Sequence, residues 1–157
     1  MGNHGCNGGL AQKACELVEE KKAMPDGKCF KNCSLSKMKN TVPLNITKCV
    51  TRKHMSADIS EDLCTNGPVS ASISAEKPSF QFAKEGIYYE GDCANTPNHE
   101  VLLVGFNGTD KNNSYWIIKN SFGKSWGENG FLKISTKANK SGCKIIGSVS
   151  YPVFPKK

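Results

Sequence analysis

Tyr115-Trp-Ile-Ile-Lys-Asn-Ser-Phe-Gly-Lys-Ser-Trp-Gly-Glu-Asn-Gly-Phe131, preceded by Asn98-His-Glu-Val-Leu-Leu-Val-Gly-Phe106, is the stretch that decides the fold. It holds three short apolar runs, Val101 to Val104, Tyr115 to Ile118 and Phe131 to Ile134, each of strand length. Asn107-Gly108-Thr109-Asp110 supplies a turn between the first two. The unbroken run at Val101 predicts a strand buried on both faces. Upstream, Val69, Ala71, Ile73 and Ala75 alternate with Ser70, Ser72 and Ser74, the period of a half-buried strand. The second half of the chain is therefore expected to be mainly β. Further out the period changes. Leu10 to Lys22 reads as a helix, with Leu10, Ala14, Leu17 and Val18 on one face and Glu16, Glu19 and Glu20 on the other. Gly8-Gly9 stands at its mouth. From Ala23 to about Met55 periodicity is lost among Pro25, Asp26-Gly27 and Pro43, which predicts a cysteine-rich connection, and Ile59 to Cys64 reads as one short helical passage.

Composition sets the outer limits. A chain of 157 residues, 38% hydrophobic and 22% charged, is globular rather than disordered, and at this size it hides roughly two thirds of its unfolded surface. Its net charge is +7, and nine of its 21 basic side chains lie between Lys21 and Lys53 with Asp26 as the one acid among them. Phe30 is the only aromatic residue in that stretch, and stacking on single strands needs more, so a solvated basic face is expected and no nucleic-acid partner. Eight cysteines predict an oxidising compartment. Five sequons agree, at Asn32, Asn45, Asn107, Asn112 and Asn139. No run is long enough to span a bilayer, and Met1 to Gly5 has neither the basic start nor the apolar run of a secretion signal. A processed piece, or a sequence missing its beginning, is the expectation.

The chemistry centres on two residues. His99 heads an apolar strand, where an imidazole reaches solvent on one side and the core on the other, a useful place for a general base. Asn120 follows the buried run Trp116-Ile117-Ile118, so its amide is presented at a strand end, able to accept an imidazole N–H and fix which ring nitrogen faces a nucleophile. Phe122 and Trp126 bring apolar surface to screen that bond from water.

These segments, with Gly5-Cys-Asn-Gly-Gly9 near the start and Ser150-Tyr-Pro152 at the end, resemble the papain and cathepsin L family of cysteine proteases over nearly the whole chain. The resemblance implies an α+β, papain-like fold: a remnant of the helical left-hand half over residues 1–64, then the right-hand antiparallel β-barrel half over 65–157. It implies peptide-bond hydrolysis through an acyl-enzyme in the complete enzyme, with His99 as catalytic histidine, Asn120 orienting it, and Phe122 in place of the usual shielding tryptophan beside Trp126. Gly8 and Gly9 are implied to meet an extended peptide substrate. Ser72, Pro97, Asn98 and Ser148 match positions that line the main specificity pocket. Cys93 and Cys143 match a disulfide whose loop of about 50 residues contributes roughly 4 kcal/mol by chain entropy. Peptide or protein substrates and cystatin-like inhibitors are the implied partners of the complete enzyme, its setting is lysosomal or secreted, and no metal or organic cofactor and no membrane partner is implied.

The chain also departs from the family. The nucleophilic Cys-Gly-Ser-Cys-Trp helix and the oxyanion glutamine are expected before the Gly5-Cys-Asn-Gly-Gly9 element, and neither is found here, so Cys6 and Cys29 read as lacking their partners. Between Glu20 and Lys22 the usual helix end and Tyr-Pro-Tyr turn are missing. Glu100 replaces a small residue and is expected to bring negative charge near the imidazole. As written, the chain is expected not to cleave peptides, and to expose an apolar patch that leads to association. Two other readings stand beside this one. One is a non-catalytic homologue that binds peptides or inhibitors. The other is a small zinc module built on Cys29, Cys33, Cys49 and His54.

Overall fold

Val69, Ala71 and Ile73 find their partner face in Leu103, Val101 and His99, three cross-strand pairs that set the register of everything around them. The computed structural model describes residues 3–4, 7–21, 23–25, 41–53, 56–89, 91, 96–108, 113–136 and 145–155, with the side chains of 23–25, 41–42, 53, 56–58 and 145–148 left aside. In chain order the elements are α1 (Ala11–Lys21), β1 (Ala23–Pro25), β2 (Thr41–Pro43), β3 (Lys48–Lys53), α2 (Ser56–Asn66), β4 (Val69–Ile73), α3 (Pro78–Gln81), β5 (Ile87–Tyr88), β6 (His99–Asn107), β7 (Tyr115–Lys119), β8 (Phe131–Ser135) and β9 (Ile145–Val153). They fall into two compact units, Met1–Thr51 with Ser150–Lys157, and Arg52–Val149. The division lies within β3 and β9.

In the first unit, α1 carries no buried residue. Leu10 is 55% exposed and Ala14 is exposed as well, so the apolar stripe read from sequence is not what holds the helix. Two ties to β3 hold it instead. Cys15 is disulfide-bonded to Cys49 across a separation of 34 residues. Glu19, expected on the solvent side, accepts the Cys49 N–H at 2.7 Å. That disulfide also bears on the zinc reading, since Cys49 has no thiolate to offer a metal; Cys29, Cys33 and His54 lie outside the described residues. The same holds for Cys93 and Cys143. β1 pairs antiparallel with β2, and the Thr47 N–H donates to the Val153 carbonyl at 2.7 Å.

In the second unit the strand order is β9-β4-β6-β7-β8-β5. β4, β6, β7 and β8 run antiparallel, while β5 lies parallel to β8. Val69, Leu103, Ile118 and Leu132 are successive cross-strand partners, each 2% exposed or less, and they form one dry stripe across four strands. Because side chains alternate along a strand, the other face carries Ser70, Ser72, Glu100, Leu102 and Lys119. β6 therefore corrects the expectation of a strand buried on both sides: Val101 and Leu103 are buried, but Leu102 between them is 38% exposed. A register shift between Leu103 and Gly105 then resets the pairing.

Candidate active site

Register builds the site. Leu103 faces Ile118 and Leu102 faces Lys119. Carried past the last pair, that register sets Val101 opposite Asn120 and His99 opposite Phe122, all on the side of the dry stripe. His99 and Asn120 thus meet at the mouth of the core, with His99 Nε2 2.8 Å from Asn120 Oδ1. The ring of Phe122 lies over the imidazole, centroids 4.9 Å apart and tilted by 36°. Asn120 is 9% exposed and Phe122 is 44% exposed, so the aromatic ring forms the solvent side of this contact.

The amide orientation is fixed by a second donor. Asn120 Oδ1 also accepts the backbone N–H of Ser121 at 2.7 Å. A peptide N–H needs an acceptor, so the atom there is oxygen and not Nδ2. Facing that oxygen, His99 Nε2 carries its proton in the neutral ring, and Nδ1 is left with its lone pair. The outer amide atom, Asn120 Nδ2, is buried and makes no hydrogen bond among the described residues.

A loop and an aromatic cluster hold the pair in place. The Asn120 N–H donates to Gly130 O at 2.9 Å, Gly130 N–H to Trp126 O at 2.8 Å, and Gly127 N–H to Ala83 O at 3.1 Å. Gly127 sits at φ 57, where a Cβ would run into the Phe131 carbonyl, so glycine is required there. Trp126 is buried and donates its indole N–H to the Phe80 carbonyl at 2.9 Å. It touches Phe122 edge-on rather than the imidazole, with centroids 5.7 Å apart. Phe80, fully buried, is the hub: its ring meets Trp126 at 5.2 Å, Phe122 at 6.3 Å and His99 at 6.4 Å. Sequence reading missed Phe80. The segment Pro78-Ser-Phe-Gln-Phe82 has no period, and Pro78 at the start of a one-turn helix was its only signal.

The other named residues are more scattered. Ser72 is buried, and its hydroxyl donates to Glu100 at 2.6 Å. Glu100 thus turns away from the imidazole, contrary to expectation, because neighbours on a strand point to opposite faces. Asn98 spends its side-chain oxygen on the Ala75 N–H at 2.8 Å, and Pro97 is exposed. Ser148 belongs to β9, with its side chain outside those described. Gly8 and Gly9 lie in the first unit, both exposed, Gly8 at φ 93. Among the described residues no His, Cys, Asp and Glu cluster suits a metal ion, and no helix is long and apolar enough to cross a membrane.

An imidazole hydrogen-bonded to a side-chain amide beside an aromatic ring is an arrangement that thiol hydrolases use. Residues 1–153 match the profile of the papain family cysteine proteases. The chain is 36% identical to human cathepsin L2 over 97% of its own length and 48% of that protein's. It is 34% identical to cathepsin L1 of Drosophila melanogaster over 97% of itself and 42% of that chain. In structure it resembles the proform of the Amb a 11 cysteine protease, a major ragweed pollen allergen, with a TM-score of 0.82 and 28% identity over 100% of this chain and 50% of that one. The chain belongs to the papain family of cysteine proteases, whose members act on peptide or protein substrates. It spans about half the length of the curated relatives it matches. The Cys15–Cys49 disulfide fits an oxidising compartment.

Proposed function

We propose that this chain supplies the base and its orienting amide to a cysteine-type endopeptidase. The contact of His99 Nε2 with Asn120 Oδ1 carries the reading. With Nε2 committed, Nδ1 takes the proton of a cysteine thiol. The thiolate attacks the peptide carbonyl, the imidazolium passes that proton to the leaving amine nitrogen, and water, deprotonated by Nδ1, then hydrolyses the thioester to a carboxylic acid. Phe122 and Phe80 keep water from competing for the His99–Asn120 bond. Asn120, Phe80 and Phe122 meet the His99 ring, and none of them carries a thiol. Nucleophile and base act as one unit, so residues 1–157 alone are inactive in this reading. Substrates are peptides or proteins, cystatin-like inhibitors are partners, and the setting is lysosomal or secreted.

Fluorogenic peptides and a thiol-alkylating epoxide test this. Residues 1–157 give neither turnover nor stoichiometric labelling. The natural protein, in its full natural length, gives both, and His99→Ala removes turnover by several orders of magnitude. Turnover by residues 1–157 alone, or a His99→Ala protein that stays active, overturns the reading. The same assay judges the non-catalytic alternative, which is favoured if the natural protein binds peptides or cystatins without cleaving them.

A further inference from the structure

Five sequons stand in the sequence, and the structure treats those it describes differently. Asn45-Ile-Thr47 lies between β2 and β3, outside any regular element. Ile46 is 3% exposed, while Asn45 before it and Thr47 after it are both exposed. One side chain turned in between two turned out is the alternation of an extended chain. The Asn45 amide and the Thr47 hydroxyl therefore share the solvent side, the two groups a sequon must present together. The segment is anchored in that pose by the buried Ile46 and by the Thr47 N–H, which donates to the Val153 carbonyl at 2.7 Å.

The other described sequon residues lack this freedom. Asn107 closes β6 half-buried, opposite its cross-strand partner Tyr115. Its Nδ2, the atom to which a sugar is joined, donates to the Tyr115 hydroxyl at 3.3 Å. A glycan on that nitrogen presses a bulky, strongly hydrated group against a paired strand, whereas glycans belong on open surface. Ser114, the hydroxyl residue of the Asn112 sequon, is half-buried, and its hydroxyl is hydrogen-bonded to that of Thr136. Asn32, Asn112 and Asn139 themselves lie outside the described residues.

We infer that Asn45 is a modification site and carries an N-linked oligosaccharide, transferred from a polyprenyl-diphosphate donor of the secretory pathway. Asn45 Nδ2 bonds to the anomeric carbon of the first sugar as the bond from that carbon to the diphosphate oxygen breaks. The electron pair leaves with the diphosphate, the amide proton passes to a base of the transferase, and nothing is oxidised or reduced. The glycan stands on the β2–β3 segment of the first unit, with Ile46 beneath it as its footing. The inference goes beyond the peptidase reading and takes from it only the secretory setting, which the Cys15–Cys49 disulfide supports.

The natural protein, in its full natural length, is produced in insect cells and treated with peptide N-glycosidase in heavy-oxygen water, which turns each glycosylated Asn into a labelled Asp. Peptide mass spectrometry then finds the label at Asn45 in most molecules and at Asn107 in few. Asn45→Gln and Thr47→Ala each increase gel mobility by one glycan, while Thr47→Ser keeps the slower band. Where a variant fails to fold, the label on the unmodified protein decides alone. An unlabelled Asn45 beside a labelled asparagine elsewhere overturns the site, and no label at any asparagine overturns the secretory setting with it. Equal labelling of Asn45 and Asn107 overturns the selection by exposure. Peptide turnover by the same protein judges the peptidase reading separately.

Discussion

His99 Nε2 and Asn120 Oδ1 are 2.8 Å apart although 21 residues separate them in the chain. The pair comes together because the β6–β7 register, counted from Leu103 and Ile118, sets Asn120 opposite Val101 and one step from His99. Asn120→Ala removes the hydrogen bond that the amide makes to the ring. Nitrogen-15 NMR of the histidine then shows the tautomer ratio moving toward an even mixture by about tenfold, the equivalent of a hydrogen bond of roughly 1.4 kcal/mol. A ratio that stays near its starting value shows that the amide does not set the tautomer.

Phe80 anchors four aromatic contacts from one buried ring, with His99, Phe122, Trp126 and Tyr88. Phe80→Ala is expected to cost about 3–5 kcal/mol, the range for a buried Phe whose site cannot collapse. Urea denaturation measures it, and a cost below about 1 kcal/mol shows that the cluster repacks.

Trp126→Phe keeps most of the apolar bulk and removes one donor. The Phe80 carbonyl, which accepts the indole N–H at 2.9 Å, loses that partner inside the core. About 1–3 kcal/mol of stability is lost. Near-neutral behaviour in the same denaturation experiment means that water reaches the carbonyl.

Glu128 and Lys133 give the fold a dependence on pH. The Lys133 ammonium at 2.9 Å, and after it the Gly86 N–H, hold the Glu128 carboxyl below its usual range, while Glu128 raises Lys133 above its own. The folded pKa of Glu128 is thus depressed relative to the unfolded chain. Its contribution is complete above about pH 4.3, the unfolded value, and is lost as pH falls through the lower folded value. For Lys133 the contribution is complete below about pH 10.4 and is lost as pH rises past its folded value. Thermal melts of Glu128→Gln lie below those of the original chain at pH 7 and converge with them in acid. Parallel curves down to pH 2 exclude this pair as the cause.

The Cys15–Cys49 bridge closes a loop with a separation of 34 residues. Chain entropy for a loop of that length is about 4 kcal/mol at 25 °C. The Cys15→Ser, Cys49→Ser double variant is expected to lose protection of the α1 amides in hydrogen exchange while the β6 amides keep theirs. Equal loss in both places shows that the bridge stabilises more than the first unit.

The sequence made the meeting of His99 and Asn120 plain and its neighbourhood obscure. Their meeting was legible because His99 opens one strand and Asn120 follows another, each with an unmistakable apolar run. The helix at Leu10 was legible too, though not its attachment, since Glu19 turns inward to a backbone N–H and no apolar period reports such a bond. β3 was hidden by its polar sequence Lys-Cys-Val-Thr-Arg-Lys, and β9 by Gly147 and Pro152 within it. The facing of Glu100 follows from strand parity alone; reading it as next to the histidine took neighbours in sequence for neighbours in space. Phe80 shows the limit in another way, for its role comes from four rings contributed by separate segments.

Asn120 shares its oxygen between the imidazole and the N–H of the next residue, Ser121. The amide is therefore aimed by its own backbone turn, whether or not the histidine is present. A residue that sets its partner's proton while being set by its own peptide chain works as a fixed reference: exchanging His99 leaves the acceptor standing where it was, ready to receive whatever donor replaces it.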